Sequence, residues 1–130
     1  MDQGGLEKSM RVIWVLLLAA GLTVLPRVSA HAVPREMMRL AEVLGAVHYL
    51  RPLCGSHEGQ KWRNQMIRML DAVHTSGDER QVLISHFNIF YYRYRDAYPR
   101  CTGSAARDAN RLVSEGQRLA EALARRGYGR

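Results

Sequence analysis

Cys54 and Cys101 are the only two cysteines in this 130-residue chain, and both follow an N-terminal stretch that reads as an export signal. A small chain that leaves the cytosol with one pair of thiols is expected to close one internal disulfide. That link restricts the fold more than any other feature. The first eleven residues carry Lys8 and Arg11, and a weakly polar-to-apolar run extends from Val12 to Leu25, ahead of Pro26 and Arg27. The run matches the core of a secretory leader and falls short of the roughly 20 residues a bilayer-crossing helix needs. Val28-Ser29-Ala30 places short residues where a signal peptidase reads, and Ala30-His31-Ala32 offers a second site. The expectation is a signal peptide over residues 1–30, cleaved after Ala30 or Ala32, and a single helical domain over 31–130. Such a protein would be periplasmic or secreted and not transmembrane after processing. An uncleaved N-terminal anchor is the rival reading, and Met10 offers a second translation start.

The whole chain carries a formal charge of +7. Residues 31–130 keep 16 of the 19 basic side chains, all but Lys61 being arginine. That balance favours acidic partners such as lipid head groups, anionic wall polymers or acidic proteins over nucleic acid, which the compartment scarcely offers. An arginine-biased codon usage and ordinary solvated helix faces explain the same charge.

Four helical segments are legible. Pro34 suits a first turn, and Met37, Leu40, Ala41, Leu44, Val47 and His48 then recur at helical spacing until Pro52. Ser56 is the expected cap of a second helix, with Glu58 in its first turn and a stripe of Trp62, Met66, Met69, Leu70 and Val73. Asp78 with Gln81 resembles a capping box for the third, whose buried line is Leu83, Phe87, Phe90, Tyr91, Tyr94 and Tyr98 before Pro99. Thr102 caps the fourth; its stripe runs from Ala105 through Leu112 and Gly116 to Leu123, and Gly127 stops it. No segment alternates like a strand. The fold class is therefore all-α, a four-helix up-down-up-down bundle, because short connections favour antiparallel neighbours. Cys54 and Cys101 sit in the first and third interhelical turns, which that order places at one end. A 47-residue loop closed in this way stabilises the fold by about 4 kcal/mol in the chain-entropy model. Without a Cys-x-x-Cys spacing, a structural role outranks redox chemistry.

The candidate sites are modest. Ile89 and Tyr92 point away from the buried arc of the third helix, and with Arg93 and Arg95 they form a candidate contact surface. Arg51 and Arg63 fall near the disulfide end, either as an anion pocket or as partners of Glu58 or Asp96. Gly116, in the middle of an apolar stripe, suggests close approach of Trp62 or a ring from the third helix. His48 borders a buried face as a hydrogen-bonded core-edge histidine. Cleavage after Ala30 would make His31 the N-terminus, whose amine and imidazole can chelate copper. The pairs Asp108–Arg111, Arg111–Glu115 and Glu121–Arg125 read as a solvated face. No nucleophile motif, phosphate loop or demonstrable carboxylate pair is present, and no cofactor is expected.

Leu44-Gly-Ala-Val-His-Tyr-Leu-Arg-Pro-Leu-Cys54-Gly55 with Trp62-Arg63-x-x-Met66, then Phe87-Asn88-x-x-Tyr91-x-x-Tyr94-x3-Tyr98-x-x-Cys101-Thr102 and Glu115-Gly116-x-x-Leu119-Ala120, carry a resemblance. Together they resemble a family of small exported alphaproteobacterial proteins with no assigned function. The resemblance covers about residues 40 to 127 and implies a periplasmic or secreted location, with no activity or catalytic residue to transfer. The family's pattern has glycine and arginine where this chain has Phe90 and Tyr92, so the third helix is bulkier here. The functional expectation is a non-catalytic module that contacts an acidic envelope component. The alternatives are a copper-binding protein using His31 and an envelope hydrolase.

Overall fold

Four α-helices account for most of residues 33–128, the part of the chain that the computed structural model describes: α1 (Arg35–Leu53), α2 (Lys61–Ala72), α3 (Gly77–Ala97) and α4 (Gly103–Arg125). The expected leader, the cleavage sites expected at Ala30 and Ala32, and His31 lie outside the described residues. No strand occurs among the described residues, and none of their helices is long and apolar enough to cross a membrane.

Between Leu40 and Val47, Glu42 is the only polar side chain of α1. A helix that is apolar nearly all round belongs in the core rather than at its edge. Accordingly Met37, Leu40, Ala41, Val43, Leu44, Gly45, Ala46, Val47 and Leu50 are all buried, and the main packing of each other helix is against α1. Two apolar clusters result. One face of α1, including Leu40 and Leu44, meets Met66 and Leu70 of α2, Leu83 and Phe87 of α3 and Leu123 of α4. The adjoining face, including Val43 and Leu50, meets Ala105, Ala109 and Leu112 of α4.

Gly45 sets the α1–α3 distance. A Cβ there would overlap the carbonyl oxygen of Phe87, so the two backbones touch. Contacts between these helices climb both together, from Glu42 with His86 through Gly45 with Phe87 to Tyr49 with Tyr91. Contacts between α1 and α4 climb one and descend the other, from Glu36 with Arg126 to Arg39 with Glu115 and Cys54 with Cys101.

Element ends differ in detail from the sequence expectation. Pro34 is the N-cap of α1 rather than its first residue. The second helix starts at Lys61, after Gln60, because Gly55 and Gly59 take positive φ (91° and 54°) and turn the chain after Cys54. Ser76, not Asp78, caps α3, in a reciprocal box with Glu79. Thr102 caps α4 as expected, accepting from the Ala105 amide. On α3 only Leu83 and Phe87 are fully buried, and Phe90, Tyr91, Tyr94 and Tyr98 are half-buried. Gly116 closely approaches α1 rather than Trp62 or an α3 ring: a Cβ there would stand 3.1 Å from Val43 Cγ1 and 3.9 Å from Leu40 Cδ1.

The two glycines should therefore respond differently to alanine. Gly45→Ala forces two backbones apart and should destabilise by about 2–3 kcal/mol, the upper range for overpacking. Gly116→Ala meets one Val43 methyl at 3.1 Å rather than backbone and gains about 1 kcal/mol of helix propensity, so its net change should stay within about 1 kcal/mol. Urea unfolding of the two variants measures the contrast.

Candidate functional site

A polar cluster surrounds the disulfide corner. Cys54, at the end of α1, is bonded to Cys101, just before α4, with their Cα atoms 5.0 Å apart. One turn earlier on α1, Arg51 donates from Nε (2.9 Å) and Nη2 (2.7 Å) to the two carboxylate oxygens of Glu58. The Trp62 indole N–H donates to the same carboxylate at 2.7 Å. The two glycine turns bring Glu58 back under α1, so this side chain ties three segments together instead of charging a helix N-terminus. Its hydrogen bonds from Arg51 foremost, and then from Trp62, hold the Glu58 carboxyl at about 2. Lys61 stands farther off, its Nζ 3.6 Å from Glu58 and 4.7 Å from the centre of the Trp62 ring. Arg63 is exposed on α2 and lines a different feature, a groove between α2 and α3 that also exposes Ile67. Arg51 is thus engaged by Glu58, with Arg63 set apart from that pair.

A second network crosses α1 between α3 and α4. Arg39 grips Glu115 through two bonds, 2.6 Å from Nε and 3.0 Å from Nη2. The same guanidinium donates to Glu42 at 3.0 Å, and Glu42 meets His86 Nδ1 at 2.9 Å. Arg39 keeps the Glu115 carboxyl below its usual range. Nearby, the Tyr98 hydroxyl donates to Asp108 at 2.8 Å, and the Tyr49 hydroxyl to the Tyr98 carbonyl at 2.5 Å. The Asp108–Arg111 and Arg111–Glu115 pairs form at 3.2 and 3.6 Å, and Asp108 and Glu115 also serve as ties to Tyr98 and to α1. His86 was not legible as a partner, because Glu42 lies 44 positions away in sequence. His48 differs from its expectation too. Its ring packs against Phe87 and Tyr91 at 5.8 and 5.6 Å, and its buried Nδ1 has no hydrogen-bond partner. Burial, and then the charge of Arg63, push its imidazole down towards the neutral form.

The outer face of α3 carries the expected contact residues. Ile89 and Tyr92 are 52% and 50% exposed, and the Arg95 guanidinium lies over the Tyr92 ring at 4.6 Å while pairing with Asp96. Arg93 instead lies over Phe90, 4.4 Å from its centre, so it turns away from this pair. Val82, seven residues before Ile89, is 41% exposed and extends the apolar line. Its spacing was the available signal. No group of three or more histidine, cysteine, aspartate or glutamate side chains suited to a metal occurs among the described residues.

The Glu58 tie has a signed pH dependence. Its carboxyl titrates lower in the folded chain than the ordinary 4.5, so its contribution is complete above that value and fades as pH falls towards about 2. The urea midpoint should fall across that window, and Glu58→Gln should flatten this part of the fall while lowering stability at neutral pH. An unchanged slope in the variant would contradict the assignment.

No curated protein and no solved structure matches the chain. One family model does, that of a protein of unknown function, DUF2385, over residues 33–127. These limits enclose all four helices and both cysteines, and the chain belongs to the DUF2385 family.

Proposed function

We propose that the chain is an exported, non-catalytic helical module that docks on an acidic component of the cell envelope through the outer face of α3. The observation that carries the reading is the exposed Ile89–Tyr92 pair with the Arg95 guanidinium lying over the Tyr92 ring. An amphipathic ring under a cation suits an interface that is part apolar and part anionic. The net positive charge adds long-range attraction to such a surface. Export is supported by the leader pattern and by the disulfide, which persists in oxidising compartments. We place the mature chain in the periplasm or outside the cell, with residues 31–130 as its single domain. In this reading the helices run up, down, up and down, consistent with one covalent link uniting the first and third corners.

No observation favours the copper or hydrolase alternatives. The Glu58, Glu36 and Glu115 carboxyls are all held below their usual range, opposite to what a general acid needs.

Co-sedimentation with phosphatidylglycerol-containing vesicles and with cell-wall sacculi, at about 0.15 M salt, tests the proposal. The chain should sediment with at least one of them. Ile89→Asp combined with Tyr92→Asp should abolish this while leaving the urea midpoint nearly unchanged, because both side chains are exposed. A wild-type chain that stays in the supernatant with both surfaces would end the reading.

A further inference from the structure

We propose that the groove between α2 and α4 binds a single-chain anionic amphiphile, its carboxylate held at Lys61 and its alkyl chain lying along α1. The groove exists because α2 and α4 both pack mainly on α1, leaving a strip of that helix as its floor. Leu40, Val43 and Val47 form that floor, Trp62 forms one wall, and Gly116 opens the other side. A Cβ on Gly116 would stand 3.1 Å from Val43 Cγ1, so the glycine keeps the space clear. The volume is about 270 Å³, close to the roughly 300 Å³ lower end for ligand sites. That size admits one alkyl chain and not a folded peptide helix or a two-chain lipid.

Charge selects the head group. Lys61 is the one charged side chain lining the groove, and no acidic side chain lines it. Glu58 does not cancel that charge, because both its oxygens are already taken by Arg51 at 2.9 and 2.7 Å, with Lys61 3.6 Å away. Two cations therefore share one carboxylate, and an anion at Lys61 balances the excess. The wall is also set in advance: Glu58 fixes the Trp62 indole through its N–H, and the disulfide anchors the turn beside it. A preformed apolar wall spares the ordering cost of binding.

This site is separate from the outer face of α3, so the two proposals stand or fall apart. The test uses the full chain carrying Trp14→Phe, in which Trp62 is the single indole. Titration with sodium dodecanoate below its micelle concentration should shift Trp62 emission saturably. Dodecyltrimethylammonium, with the same tail and opposite charge, should bind at least about tenfold more weakly. Lys61→Ala should weaken dodecanoate binding by up to about fivefold, the range of one exposed ion pair, and Lys61→Glu by more. Ala120→Phe, at an exposed lining position, should block binding without lowering the urea midpoint, and Ile89→Asp should leave it intact. Equal binding of the cationic probe, an unchanged response in Lys61→Glu, or no saturable shift would overturn the proposal. Emission that moves on dilution without any probe would place a second copy in the groove and overturn it as well.

Discussion

The contact of two backbones at Gly45 and Phe87 is the constraint on which the remaining packing rests. Helices usually keep 8–10 Å between axes because side chains intervene. Here a missing Cβ lets the α3 carbonyl of Phe87 rest on α1 itself. Close approach on that side helps surround α1, with α4 covering the adjoining face and α2 the first cluster. A helix this apolar has no stable exposed state of its own, so the other three helices depend on it and it on them.

Around this dry centre, charged groups act as struts between helices. Arg39 joins α1 to α4 through Glu115, while Glu42 reaches α3 at His86. Arg51 and Glu58 fasten the chain beyond α1 to the corner where the disulfide closes. Each strut is half-buried, where attraction is less screened than at the surface yet desolvation is incomplete. Such ties specify the rotation of each helix about its axis, which apolar contacts alone leave loose.

Much of the architecture was legible because it depends on local rules. Helical spacing located all four helices, and Thr102 announced its own cap. The two cysteines in separate turns anticipated their bond. What escaped notice is what depends on distant partners. Gly45 looks like one more small residue in Leu44-Gly-Ala-Val47; only the arrival of α3 gives it meaning. Reading α1 as a stripe also missed Val43, Ala46 and Leu50, although its nearly continuous apolar character was the signal of a central helix. Ser56 failed as a cap because Gly59 turns the chain before the helix can begin. On α3, the exposure of Ile89 and Tyr92 was legible from helical phase alone. Arg93 was assigned to their surface and turns instead to Phe90, a choice between neighbouring rings that spacing cannot make. The groove beside Trp62 was invisible, since its walls come from three separate helices.

The two proposed sites, an apolar-cationic face on α3 and a lysine-headed groove on α1, lie on surfaces that the packed interior leaves over. Both require α1 to hold its neighbours in place. Native-state hydrogen exchange tests that requirement most directly. The amides from Leu40 to Leu50 should be the slowest in the molecule and should exchange only through global unfolding. Protection in α3 or α4 that outlasts protection in α1 would contradict a fold organised around that helix.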